Sequence, residues 1–168
     1  MKHIEIDLTR IAQIAAEKEE ENFEFRTFLK EQDTKQVDKI VQKLNAEISA
    51  KIDCQKCGNC CISLRPLVSK NEIIKLSEME GLSKKDFESR FVEKDMWDDE
   101  KSLKDRPCKY LSDKSCSIYK DRPEDCRSYP HTHKDGFTSR TLGIIDNYGI
   151  CPIVFNIYER LKVELGYY

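Results

Sequence analysis

The chain has 168 residues, 29 of them basic and 31 acidic, and a formal charge of −2 at pH 7. So even a balance argues against a dedicated nucleic-acid binder, which would rely on a strong positive field. The length suffices to bury a core without covalent help, so the eight cysteines are not required merely as staples.

The start, Met1-Lys2-His3-Ile4-Glu5-Ile6-Asp7, has no uninterrupted apolar core of the kind a signal peptide carries. No later run approaches the roughly 18 apolar residues that span a bilayer. A cytoplasmic location without membrane contact is therefore expected. In that reducing compartment thiols stay reduced or bind metal, and the even cysteine count says little for disulfides.

Residues 8 to about 50 read as one bent helix or two. Leu8, Ile11, Ile14 and Ala15, and then Val37, Ile40, Val41, Leu44 and Ile48, recur at helical spacing with no Gly or Pro between them. Gln32-Asp33-Thr34 offers the break, with Asp33 as N-cap and Gln36 three residues on. The stripe is expected to pack as a scaffold on the cysteine domain, and a partner surface or self-association through it is the second reading.

Cys54-Gln55-Lys56-Cys57-Gly58-Asn59-Cys60-Cys61 follows, a tight loop in which Gly58 can take positive φ at no steric cost. Ile62 to Val68 reads as extended. Ser69 with Glu72 has the form of a capping box, which predicts a helix through Ile73, Ile74, Leu76 and Met79 that stops at Gly81. Ser83 opens another helix with Asp86 at the third position and Phe87 and Phe91 on one face. The charged stretch Glu93 to Lys104 reads as an outward loop, with Trp97 as an anchor on the core.

Cys108 to Tyr119 reads as two short strands around a polar turn, which brings Cys108 near Cys116. Asp121 looks like the cap of a helix with Pro123 in its first turn and Glu124 three residues on. Cys126 falls in that turn, where the helix dipole favours a thiolate. Phe137 to Ile145 is strand-like. Cys151-Pro152 opens a last helix whose face is Val154, Ile157, Tyr158, Leu161 and Leu165, with Gly166 at its end. The expected fold is an α-rich α+β chain: a helical scaffold over residues 1–50, then a cysteine-cluster domain over residues 51–168.

Thiolates select zinc, iron or iron–sulfur clusters over hard ions. C-x2-C-x2-C places three sulfurs within reach of one centre, so Cys54, Cys57 and Cys60 are the first metal ligands to name. Cys108, Cys116, Cys126 and Cys151 follow, and Cys61 comes last, since adjacent Cys60 and Cys61 point different ways from most backbones. Cys61 as a small buried hydrophobe is its alternative. His131 and His133 add nitrogen donors whose ligand role is open, a solvated loop being the other reading.

A site of four thiolates stays anionic and needs nearby donors. Arg122 and Arg127 are the candidates for that role, with Arg65 and Arg106 undecided between it and the surface. The aspartates Asp53, Asp105, Asp121 and Asp125 flank cysteines, but capping and turn roles account for them. No acid–base constellation therefore singles out a catalytic residue. A metal-stabilised binding module, a redox protein and an enzyme with an open coordination position remain the three classes.

Cys54-x2-Cys57-Gly58-x-Cys60-Cys61, Pro107-Cys108-x-Tyr110-Leu111, Cys116-Ser117-Ile118-Tyr119 and Arg122-Pro123-x2-Cys126-Arg127-x-Tyr129-Pro130 together resemble one family. It is the bacterial C-x2-C-x2-C-C zinc- or iron-chelating domain family, also called YkgJ-like cysteine cluster proteins. The resemblance runs from about residue 50 to 155 and implies a metal-chelating domain with all eight cysteines as ligands. A related arrangement in the much longer flagellin lysine methylases implies, as an alternative, a part in S-adenosylmethionine-dependent methyl transfer. No Gly-rich nucleotide loop accompanies it here.

Overall fold

The structure, a computed structural model, describes residues 4–96 and 99–167; the expected anchor Trp97 lies outside them. In chain order the elements are α1 (Leu8–Glu17), α2 (Glu19–Lys30), α3 (Thr34–Ser49), α4 (Cys54–Cys57), α5 (Asn59–Ser63), α6 (Lys70–Met79) and α7 (Lys84–Phe91). There follow β1 (Val92–Lys94), β2 (Lys101–Leu103), β3 (Leu111–Ser112), β4 (Ser115–Cys116), α8 (Glu124–Ser128), α9 (Thr141–Tyr148) and α10 (Pro152–Glu164). Short 3-10 turns cover Tyr119–Asp121 and Phe137–Ser139. The fold is α-rich α+β, its strands forming two antiparallel hairpins, β1-β2 and β3-β4. No helix among the described residues is long and apolar enough to cross a membrane. The chain divides into two compact units, Met1–Asp53 with Pro130–Tyr168, and Cys54–Tyr129.

In the first unit Asp7 caps α1 by accepting from the amides of Thr9 and Arg10 at 2.9 and 3.1 Å. The backbone turns at Lys18 (φ −106°, ψ 15°), yet hydrogen bonds run through it from Lys18 N–H to the Ile14 carbonyl and from Asn22 N–H to the Lys18 carbonyl. α1 and α2 are thus one rod with a kink. Asp33 accepts from the Gln36 amide at 2.8 Å and starts α3 where the capping pattern places it. The apolar stripe is buried inside this unit through Ile11, Phe25, Leu29, Val37, Val41, Leu44 and Ile48, and α10 packs on α3 and α9.

Two polar fixtures hold the unit together. Asp38, 8% exposed, accepts from the amides of Gly136 and Phe137 at 2.8 and 2.9 Å. Lys162, 5% exposed, donates to Glu21, Asn22 and Glu159 at 2.6, 2.7 and 2.8 Å, so all three ammonium hydrogens are used and the buried charge is matched. Phe137 to Ile145, expected as a strand, forms a 3-10 turn and the start of α9. Its β-branched residues favour a strand, but Thr141, Ile144 and Tyr148 fall on one helical face and are buried there.

In the second unit Gly58 takes φ +63° between α4 and α5, so the loop is two short helical turns. Ile62 and Ser63 belong to α5, which corrects the extended reading of that stretch; extended backbone begins at Leu64. α6 carries the full capping box of Ser69 and Glu72, Gly81 (φ +64°) ends the turn after it, and Ser83 caps α7. The charged stretch expected as an outward loop is paired at its two ends: Val92 with Leu103, Glu93 with Ser102 and Lys94 with Lys101. Leu67 adds an antiparallel bridge to Ser102. Val68, Ile73, Leu76, Phe87, Leu103 and Tyr110 make the core of this unit, and Cys108 and Cys116 pack half-buried against it.

Candidate metal centre

All eight cysteines lie among the described residues and none is in a disulfide. Seven stand in the second unit, whereas Cys151, His131 and His133 belong to the first. Cys151 is buried at the N-cap of α10, His131 takes φ +61°, and the His133 carbonyl accepts from Gln42.

The second unit draws sequence-distant thiols together by backbone geometry. The Cys108 amide donates to the Cys61 carbonyl at 2.7 Å, which joins α5 to the segment before β3. The Leu111 amide donates to the Cys108 carbonyl at 2.9 Å, and Leu111 pairs with Cys116 across β3-β4. Gly58 sits so close to this hairpin that a Cβ there would lie 2.4 Å from the Lys114 carbonyl oxygen. Lys109 pairs with Glu80 and stands 3.9 Å over the Phe91 ring, which pins the Cys108 segment to α6 and α7.

Four thiols, Cys61, Cys108, Cys116 and Cys126, feel one another's charge. Burial pushes the Cys108 thiol up, as do the charges of Cys61, Cys116 and Asp105, while a hydrogen bond from the Tyr110 amide opposes them. Cys116 is likewise raised by burial against a hydrogen bond from the Ile118 amide. At both sites the amide two residues on points at the sulfur, an arrangement that favours thiolate and tunes thiolate-bound centres. Burial, then the charges of Cys108, Cys61, Asp125 and Cys116, push Cys126 up to about 12. The expected helix-dipole thiolate is therefore corrected: in a helix of one turn, burial and like charges outweigh the dipole. Cys61 alone of the four moves down, to about 7, by a hydrogen bond from the Cys60 thiol and, against partial burial, by the charge of Arg122.

Arg122 is the nearby cation. Its charge acts on both Cys61 and Cys116. The guanidinium stacks 3.6 Å from the Tyr119 ring centroid and donates to the Tyr119 carbonyl at 2.7 Å, so its position is held from two sides. Arg127 is engaged differently, donating to Glu124 at 2.7 and 2.9 Å and to the Arg122 carbonyl at 2.9 Å. Arg65 pairs with Glu93 at 2.6 Å. Asp121 is not a helix cap: it ends the 3-10 turn Tyr119–Asp121, and α8 begins after Pro123.

The donor set fits a thiophilic ion in kind, because it is sulfur throughout with a cation at hand. Among the described residues no three Cys, His, Asp or Glu side chains already close on one point as ligands. The four thiols are neighbours on a shared frame rather than a finished coordination sphere.

An α+β unit that gathers thiols from three separate segments beside an arginine defines a thiolate-chelating class of domain. The family model CxxCxxCC, described as "Putative zinc- or iron-chelating domain", matches residues 53–144, and the chain belongs to that family. The match takes in the seven cysteines from Cys54 to Cys126 and ends before Cys151. No curated protein and no solved structure matches the chain.

Proposed function

We propose that the protein chelates zinc or iron through a thiolate site whose core is Cys61, Cys108, Cys116 and Cys126. Arg122 offsets the charge of that site and Arg127 braces the Arg122 backbone. The supporting observation is the pair of amide-to-sulfur hydrogen bonds, Tyr110 to Cys108 and Ile118 to Cys116, within a group of four thiols near enough that ionising one acts on the others. Backbone hydrogens aimed at two sulfurs favour their ionised, ligating form. Cys54, Cys57, Cys60 and Cys151 are further ligands on the strength of the sequence pattern. The reducing cytoplasm is the compartment in which such thiols stay available.

Bound zinc would cross-link the unit, and bound iron or an iron–sulfur cluster would add electron transfer. The chain's own part is to bring the sulfurs together, surrender their protons and shield the charge. With Cys126 near 12 and Cys61 near 7, loading must displace protons, so binding weakens as pH falls.

The test is anaerobic preparation with zinc or with iron and sulfide, followed by elemental analysis and an absorption spectrum of one sample. A metal centre should load at the four-cysteine core, and the metal it holds should be lost when Cys61, Cys108, Cys116 and Cys126 are all changed to Ser. Iron with sulfide and a visible band would make it a cluster; zinc with a featureless visible spectrum would make it a mononuclear site. A wild-type chain that takes up neither metal, or a quadruple variant that keeps full content, would overturn the reading.

A further inference from the structure

α8 carries Cys126 and is too short to be held by its own bonds alone. It has five residues, far short of what stands alone in water, and its cap Pro123 makes no side-chain hydrogen bond. Beside the Arg127 bonds to Glu124 and to the Arg122 carbonyl, further bonds reach it from the segment that begins α6. One carboxylate oxygen of Glu72 accepts from the Glu124 amide, the first of α8, at 2.6 Å. The other accepts from the Ser69 amide and the Ser69 hydroxyl, each at 2.7 Å, so a single side chain serves two helix starts.

Two further ties join the same segments. The Asp125 carboxylate accepts from the Leu67 amide at 2.9 Å, and Lys75, three residues beyond Glu72, pairs with Asp121 at 2.7 Å. Burial works against the Glu72 charge. Hydrogen bonds from the Glu124 amide and from Ser69, with the charge of Arg127, outweigh it and hold the carboxyl below its ordinary value. The group that reaches α8 is thus the ionised one. In sequence Glu72 is fully accounted for as the partner of Ser69, and its second role spans 52 residues.

We propose that Glu72 is a positioning residue for the thiolate centre: it fixes the N-terminus of α8 and, through it, the place of Cys126. The inference rests on reading Cys126 as a ligand. A ligand on an unseated turn must be ordered when the ion binds, and that entropy is set against affinity. A partner bonded directly to a ligand is worth ~10–100-fold in metal affinity; Glu72 holds the turn that bears the ligand, so the lower end of that range is expected.

The test measures the rate at which a chelator strips zinc from the loaded protein, with two variants compared. Ser69→Ala weakens the capping box of α6 but leaves the bond from Glu124 to Glu72, whereas Glu72→Ala removes both. The proposal expects both variants to melt lower, and only Glu72→Ala to release zinc faster, by about 10-fold or more; Glu72→Gln, which keeps one acceptor, should fall between. Combining Glu72→Ala with Cys126→Ser should add little to the rate of Cys126→Ser alone. Should Cys126→Ser hold no zinc, hydrogen exchange on the metal-free chain decides: the Glu124 amide should exchange faster in Glu72→Ala and not in Ser69→Ala. Equal release from Ser69→Ala and Glu72→Ala, full additivity with Cys126→Ser, or unchanged exchange at Glu124 would overturn the positioning role while leaving zinc binding intact. A wild-type chain that takes up neither zinc nor iron would overturn both; one that takes up iron alone carries the same comparison over to chelator stripping of iron.

Discussion

Single residues decide whether the thiol frame can form. Gly58 is needed twice over, for its left-handed φ of +63° and for its approach to the Lys114 carbonyl, which leaves no room for a Cβ. Gly58→Ala should lower the stability of the unit by about 1–3 kcal/mol and reduce metal content with it, as read by chemical denaturation and elemental analysis. In the other unit Glu159 is pressed upward by burial, but hydrogen bonds from Lys162 and Lys18 bring it below the ordinary glutamate value. A depressed acid stabilises the fold above the unfolded value of about 4.3, and that contribution is lost as pH falls through the folded value. The melting-temperature gap between the wild-type chain and Glu159→Gln should therefore be widest near neutral pH and close below about pH 4. A gap that stays constant down to pH 3 would show that the charge is not what stabilises.

At the scale of elements, local chemistry was readable and tertiary choice was not. Asp33, the Ser69–Glu72 box, Ser83, Gly81 and Cys151-Pro152 mark real boundaries because each acts within a few residues of chain. The β1-β2 hairpin gives no such signal. Its strands are dense in charge, only Leu103 is buried, and its support comes from ion pairs such as Lys101 with Glu88 and from the remote Leu67 bridge. α9 was hidden for the opposite reason, since its Thr and Ile residues suit a strand and only packing selects the helix. The link from Asp38 to the turn before α9 is a long-range choice of the same kind. Asp38→Ala would leave the buried Phe137 amide and the Gly136 amide without their acceptor, so a loss of about 1–3 kcal/mol is expected in thermal or denaturant unfolding.

For the molecule as a whole, spacing and donor type were enough to read a thiolate-binding family from the sequence. The hairpin that brings Cys108 near Cys116 was legible, and that Cys61 and Cys126 join them was not. Cys61, placed last because adjacent cysteines diverge, stands among the four electrostatically linked thiols, brought there by the hydrogen bond from a Cys108 amide 47 positions away (108 − 61). Its neighbour Cys60 meets it through a hydrogen bond rather than leaving it alone. The C-terminal helix, whose first residue follows a cysteine, is built into the unit that lacks the other seven. Cys151→Ser should lower metal content by elemental analysis, as the proposed ligand set requires; retention of full content would remove Cys151 from that set.

The central claim is that the ion is held by sulfur, and X-ray absorption at the metal edge of the loaded, anaerobically prepared chain tests it most directly. The wild-type spectrum should show coordination dominated by sulfur, at ~2.3 Å for zinc, which becomes mixed with oxygen or nitrogen in Cys61→Ser and Cys126→Ser. A first shell of oxygen and nitrogen in the wild-type protein, or a sulfur shell that these two substitutions leave untouched, would contradict it.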